Sequence, residues 1–289
     1  MVRVTVIGGA GRMGYWFAKF LKSNGYSIII SDQNRQAGRI CSRRLSIEFE
    51  SDYLLAAKRS DIVLLATPTN VSNRILRQLG RELKKGALVI EISSMKEPVR
   101  RAISALRENG ISVLSIHPMF GPGTKTLEGR AVLVVSRTRH SEAKQLLLAL
   151  QRLGARIVPC PINKHDILAS IVIALPHLMS ISLIETLRSL RISLNEVNMA
   201  SGTTFRLQSL IAETIYQEDY ANEISILADS KSSVLQTYSR RVRMMLKLIR
   251  INPERISGIL GAGRRFVEDD RHFLDSYERF NAAVQATLV

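Results

Sequence analysis

The sequence predicts an α/β fold: a Rossmann-type doubly wound parallel sheet followed by an all-α C-terminal domain. Three observations predict it. Short β-branched runs alternate with helix-length stretches over the first 160 residues. A glycine-rich turn directly follows the first run. After Pro161 the texture changes to long helical patterns with few strand candidates. The predicted boundaries are residues 1–161 for the sheet domain and 162–289 for the helical domain.

The strand candidates are the runs at 2–8, 26–31, 61–67, 87–93, 111–116, 131–136 and 155–160, all read as buried parallel strands. Helices are predicted at Met13–Ser23, Asn70–Lys84, Pro98–Asn109 and Ser141–Leu153. Ser141 is positioned to cap the last of these, and Gly25, Gly86, Gly110 and Gly154 stand just after helical runs. Beyond Pro161 the helical patterns cover about Asn163–Leu190, with Asn163 as cap, then Leu194–Gln217, Asp219–Arg250 and Pro253–Ala283.

Composition narrows the class. The chain has 289 residues, 46% of them hydrophobic, which excludes disordered and fibrous classes. Two isolated cysteines, Cys41 and Cys160, exclude a disulfide framework and point to a reducing compartment. The apolar run ILASIVIAL, ending at Leu175, reads as too short to span a membrane, and no signal peptide precedes the first strand. The expectation is therefore a cytoplasmic protein without a membrane partner. The net charge is +16, and of the 41 basic and 25 acidic residues the first 160 hold 26 and 11, net +15. Such a front half suits an anionic ligand, nucleic acid or a solvated basic face.

Gly9, Gly11 and Gly14 form G-x-G-x-x-G between the first strand and the first helix. Gly9 permits the tight turn, Gly11 lets the backbone approach a pyrophosphate, and Gly14 lets helix and strand pack closely. Arg12 and Met13 open the helix whose free N–H groups face the phosphates. Asp32 ends the second strand, where a carboxylate binds ribose hydroxyls and disfavours a 2′-phosphate; Arg35 nearby leaves NADP open beside NAD. Thr67 and Pro68 end the third run at the same edge and join the cofactor set.

His117 closes the fifth run, in SIHPMFGP, at the edge where this fold binds ligands. From position alone it is either a proton-exchanging group or a histidine that caps a strand. The fourth run leads into Ser93-Ser94-Met95-Lys96. Ser94 either orients a histidine or nicotinamide, or caps the helix that follows. No Cys/His cluster has metal-ligand spacing, so no metal is expected.

These residues resemble the prephenate dehydrogenases of the TyrA family. The glycine turn, Ser94-Met95-Lys96 and HPMFGP carry the resemblance first. It continues through LGARIVPCPINKHD (153–166), ALPH ending at His177, and TTFRLQSLIAETIYQEDY (203–220). It implies NAD-dependent oxidative decarboxylation of prephenate to 4-hydroxyphenylpyruvate, in tyrosine biosynthesis. In that scheme His117 accepts the proton of the 4-hydroxyl as hydride leaves C4, and Ser94 holds the imidazole. Arg206 binds a carboxylate of the dicarboxylate substrate, His177 joins the substrate pocket, and Lys96 adds a positive charge. It also implies a homodimer through the helical domain, where Ile211, Ile215, Ile224, Ile226, Leu227, Leu246 and Ile249 are candidate interface or core residues. Room for the chorismate mutase or ACT domain of many relatives is not expected.

Arogenate dehydrogenase chemistry fits the same residues. A β-hydroxyacid dehydrogenase or an imine reductase would not require His117 or Arg206. A nucleic-acid-binding regulator would use the basic front and the cluster Arg240, Arg241, Arg243 and Lys247, but no recognition motif accompanies them.

Overall fold

The computed structural model describes residues 1–124, 126–217, 220–270 and 272–286. The chain divides into two compact units, Met1–Ala169 and Ser170–Val289.

The first unit is built on one eight-stranded sheet. Its strands are β1 (Arg3–Ile7), β2 (Ser27–Ser31), β3 (Glu48–Phe49), β4 (Ile62–Leu65), β5 (Leu88–Glu91), β6 (Ser112–Pro118), β7 (Ala131–Ser136) and β8 (Arg156–Pro159), in the spatial order 3-2-1-4-5-6-7-8. The helices are α1 (Arg12–Ser23), α2 (Arg35–Leu45), α3 (Tyr53–Lys58), α4 (Thr69–Leu79), α5 (Glu97–Glu108), α6 (Ser141–Arg152) and α7 (Ile162–Ala169). β1, β4 and β5 are apolar on both faces because two separate cores flank the sheet. Val4, Val6, Phe17, Leu64 and Ile90 belong to one core; Ile7, Val63, Leu76, Val89 and Leu106 belong to the other.

All seven predicted strand runs are present, but β8, expected to be buried, is mostly exposed at the sheet edge, and there are two further differences. β7 runs antiparallel to β6. No helix lies between them among the described residues of 119–130, and a parallel return needs a long crossover. β3, α2 and α3 had no sequence prediction. β3 is only two residues long, and α2 contains Gly38, where an added Cβ would stand 2.2 Å from the Phe49 ring. Gly25, Gly110 and Gly154 take positive φ just past α1, α5 and α6 as expected, but Gly86 follows a turn well past α4. Ser141 is not the cap of α6. The His140 ring accepts from the Glu142 N–H at 3.2 Å, and its other nitrogen meets the Gly86 carbonyl at 3.0 Å. Nor is Asn163 a cap, since α7 already starts at Ile162.

The second unit is helical: a π-helical turn at Ser170–Ala174, then α8 (Leu175–Leu190), α9 (Leu194–Ala200), α10 (Thr203–Tyr216), α11 (Tyr220–Asp229), α12 (Ser232–Ile251), α13 (Arg255–Val267) and α14 (Ser276–Ala286). The predicted start at Asp219 lies outside the described residues. Pro176 explains the π turn: it has no N–H to donate and crowds the carbonyl four residues back, so the helix widens there. α8 packs on α10. Ile215 and Ile226 are buried, whereas Ile211, Ile224, Leu246 and Ile249 are exposed.

Helical residues run unbroken from Ile162 to Leu190, long and apolar enough by length and composition to cross a membrane. This corrects the expectation that the run is too short to span a membrane; the helical pattern continues past Leu175 to Leu190. His165 and Asp166 near its start are buried among polar partners in the first unit.

The turn after β1 depends on close approach. Gly8 holds the left-handed conformation, φ +77°, and a Cβ there would lie 2.5 Å from the Ala66 carbonyl oxygen. At Gly14 a Cβ would lie 2.1 Å from the Gly8 carbonyl oxygen. Gly14→Ala is therefore expected to cost about 3 kcal/mol or more of stability. Gly11→Ala, whose Cβ meets only the Gly8 oxygen at 3.2 Å, should unfold near wild type. Chemical denaturation of both variants checks this; equal stability would refute it.

Candidate functional site

The carboxyl ends of β1, β2 and β4 form the first part of the site. The Gly8 and Gly9 N–H groups both donate to the Ser31 carbonyl, at 2.8 and 3.2 Å, pinning the glycine turn to the end of β2. Gly9 is glycine because a Cβ would press within 2.5 Å of Ile30. The positive φ of the turn belongs to Gly8. Gly11 precedes α1 without a side-chain cap, so the first turn of α1, Arg12 to Gly14, has no internal acceptor for its N–H groups. A side-chain-free Gly11, whose Cβ would crowd the Gly8 carbonyl oxygen at 3.2 Å, stands beside an uncapped helix start and fits a pyrophosphate. Asp32 accepts the Ala10 N–H at 3.0 Å and the Asn34 N–H at 2.9 Å, which holds its carboxylate against the turn. Thr67 lies against Gly8, where its methyl would be 2.8 Å from an added Cβ, and its hydroxyl meets Ser72 at 2.8 Å. Pro68 caps α4.

The second part is a buried polar cluster at the ends of β5 and β6. β6 carries a register shift between Ser115 and Ile116, immediately before His117. Such bulges re-aim the side chains that follow. The Ile116 carbonyl accepts from Lys96 Nζ at 2.8 Å, and Lys96 also bonds Glu91 at 2.8 Å. Glu91 further accepts from the Ser115 hydroxyl at 2.7 Å and from the Ser93 N–H. Lys96 and Glu91 are both fully buried. Lys96 is thus not a cation offered to substrate, as its sequence position suggested; its ammonium is consumed inside the protein, holding the bulged strand end. Burial pushes its pKa down, against the attraction of Glu91.

His117 is only 4% exposed. Its Nδ1 lies 3.0 Å from His165 Nε2, and His165 Nδ1 lies 2.7 Å from Asp166 Oδ1. Asp166 also accepts the N–H groups of Lys96 and Glu97, at 2.8 and 2.9 Å, so it caps α5 from a distance. This corrects the role given to Ser94. Among the described residues Ser94 neither bonds His117 nor caps α5; His165 holds the imidazole and Asp166 does the capping. Sequence reasoning passed over His165 and Asp166 as the start of a helix; the only signal was two titratable residues side by side in an apolar stretch. Burial holds His117 well below its ordinary 6.5, reinforced by the Lys96 charge and His165 and opposed by Asp166. Burial works to raise Asp166, but the bonds from His165, Lys96 and Glu97 outweigh it and leave it below its usual range.

The loop after His117 is fastened to α1. Phe120 packs on Trp16 at 5.0 Å between ring centroids, and Trp16 Nε1 donates to the Thr124 carbonyl at 3.4 Å. HPMFGP and the glycine turn therefore share one support. In the second unit, His177 is half-buried in the first turn of α8, and Arg206 is exposed near the start of α10.

Two outcomes follow for the cluster. Lys96→Met leaves Glu91 buried without its partner and should cost about 3–5 kcal/mol in denaturant unfolding; an unchanged midpoint would return Lys96 to a surface role. His117 binds protons less readily folded than unfolded. Its contribution to stability is complete above about pH 6.5 and is lost as pH falls through the lower folded value. The unfolding free energy should thus be smaller at pH 5.5 than at 7.5; a larger value at pH 5.5 would contradict the burial of a neutral imidazole.

Comparison with known proteins agrees with this geometry. The profile of the prephenate dehydrogenase nucleotide-binding domain matches residues 17–158. A probable arogenate/prephenate dehydrogenase of Methanocaldococcus jannaschii is 31% identical over 221 residues, covering 75% of this chain and 50% of that protein. The T-protein of Haemophilus influenzae is 24% identical over 238 residues, 80% of this chain and 57% of that protein. The chain thus spans little more than half the length of these relatives. Among solved structures, Aquifex aeolicus prephenate dehydrogenase in complex with hydroxyphenyl propionate and NAD+ superposes with a TM-score of 0.66 at 20% identity, covering 93% of this chain and 99% of that one. Synechocystis arogenate dehydrogenase does so at 0.60 and 21%, covering 91% and 99%. Profile and relatives agree: through its nucleotide-binding unit, the chain belongs to the prephenate dehydrogenase (TyrA) family.

Proposed function

We propose that the chain is an NAD-dependent dehydrogenase that converts prephenate to 4-hydroxyphenylpyruvate by oxidative decarboxylation, in tyrosine biosynthesis. The observation that carries this reading is His117: a buried imidazole, held neutral, at the carboxyl end of β6, on a loop braced against the helix of the glycine turn. A neutral imidazole there is a base ready at neutral pH. Gly9, Gly11, Arg12, Met13, Gly14, Thr67 and Pro68 would hold the dinucleotide, with Asp32 toward its ribose. The nicotinamide, when bound, takes the hydride that leaves the substrate.

His117 accepts the proton of the 4-hydroxyl as the carbonyl forms and the ring carboxylate departs as CO2. The proton must leave as the hydride does, so a base that is already unprotonated lowers the barrier of that step. Arg206, with its planar fork of donors, is the residue for a substrate carboxylate, and His177 joins it. Ser94, half-buried at the end of β5, is left to the nicotinamide side. Asp32 supports NAD over NADP, since a 2′-phosphate would meet its negative charge. A homodimer through the helical unit is supported by the exposed Ile211, Leu246 and Ile249. A cytoplasmic location follows from the soluble dinucleotide and the free cysteines.

Arogenate is the second substrate considered, because the Methanocaldococcus jannaschii relative carries both names. A spectrophotometric assay crossing prephenate and arogenate with NAD and NADP tests the reading. The expected result is reduction of NAD with prephenate at a kcat/KM at least about tenfold above every other pairing, about 1.4 kcal/mol in transition-state binding. Preference for arogenate would reassign the substrate, and no turnover with either would overturn the reading.

A further inference from the structure

The acceptor face of His117 is set by two buried residues, His165 and Asp166. Asp166 accepts two backbone N–H groups and His165 Nδ1. Backbone amides can only donate, so the carboxylate oxygens between them are acceptors, and His165 must place its proton on Nδ1. In a neutral His165 the other nitrogen, Nε2, then carries a lone pair. That lone pair faces His117 Nδ1 at 3.0 Å, so the His117 proton sits on Nδ1. What remains is the lone pair on His117 Nε2, which makes no hydrogen bond among the described residues. Each proton position follows from the one before it, starting at α5.

We propose that His165 and Asp166 are positioning residues that lock His117 in the tautomer protonated on Nδ1, leaving Nε2 as the proton acceptor. The consequence for catalysis rests on the dehydrogenase reading above; the tautomer itself does not. When Nε2 takes the hydroxyl proton, Nδ1–H stays donated to His165 and His165 stays donated to Asp166. The new positive charge is thereby coupled to a carboxylate through the His165 ring. The other charged groups around His117 are Lys96 and Glu91, which pair with each other and so leave Asp166 as the counter-charge on this chain of bonds.

The test is a long-range proton–nitrogen correlation spectrum of the full chain labelled with 15N-histidine, recorded without ligands, the His117 signals being assigned by their loss in His117→Asn. Wild type should show His117 protonated at Nδ1 and bare at Nε2. His165→Phe removes the acceptor and should move the His117 proton to Nε2, whereas His165→Gln, whose side-chain oxygen replaces the acceptor, should restore the wild-type pattern. His140 is the internal control for folding. Its Nδ1 accepts from Glu142 and its Nε2 donates to Gly86, so it keeps the opposite tautomer in every folded variant.

The kinetic counterpart is a fall in kcat of about ten-thousandfold in Asp166→Asn, the size of effect that a wrong tautomer produces in a serine protease triad, with KM for prephenate nearly unchanged. Wild-type His117 protonated at Nε2, or a His117 proton unmoved in a His165→Phe protein with an intact His140 signal, would overturn the proposal. If His140 loses its pattern in the Phe variant, the wild-type spectrum alone decides. An enzyme without prephenate activity but with the expected spectrum would overturn only the functional reading.

Discussion

The carboxylate of Asp166 is the joint on which the site depends. It accepts from the first N–H groups of α5 and from His165 on its own helix, α7, and through His165 it reaches His117 at the end of β6. Two consecutive elements, α5 and β6, and the distant α7 thus meet at one buried group. Hydrogen bonds to a buried charge are each worth about 1.5–3 kcal/mol, and removing the acceptor would leave several donors unsatisfied at once. That makes the arrangement stiff: the imidazole is fixed at one nitrogen, and the other makes no hydrogen bond among the described residues. The bulge before His117 and the Lys96–Glu91 pair beneath it hold the strand end in the direction this requires.

The same unit solves a second problem, which is to bring a polyanionic nucleotide near that imidazole. The glycine turn does so by close backbone approach, not by charge. Gly8, Gly9 and Gly14 are all positions where a Cβ would overlap a neighbour, while at Gly11 it would meet only the Gly8 oxygen, at 3.2 Å. Trp16, on the helix that the turn begins, carries Phe120 from the loop after His117. The two halves of the site are therefore positioned against each other by an aromatic contact within one rigid domain. The excess of basic residues in this half adds a general field for anions, but the one buried lysine at the site is spent on structure.

Much of this was legible in the sequence, for identifiable reasons. The strands could be read because those buried on both faces are continuous β-branched runs, and the turn because each glycine is required sterically. His117 stood out because it ends such a run before a proline-fixed loop. Lys96 was misjudged because a charge is visible in a sequence and its burial is not. His165 and Asp166 escaped notice because Asp166 bonds residues 70 and 69 positions away, a pairing that no local spacing records. The antiparallel β7 was in fact encoded in the helix-free stretch before it, which leaves too little chain for a crossover. β3 has too few residues to show any pattern.

In the proposed reaction His117 is the group that takes the substrate's proton. Its most direct test is the steady-state rate of NAD reduction by saturating prephenate in His117→Asn, which keeps a polar side chain of similar size but cannot accept that proton. The prediction is a kcat lower by about a hundredfold to ten-thousandfold, with KM for prephenate within a few-fold of wild type. A His117→Asn enzyme that turns over at the wild-type rate would contradict it.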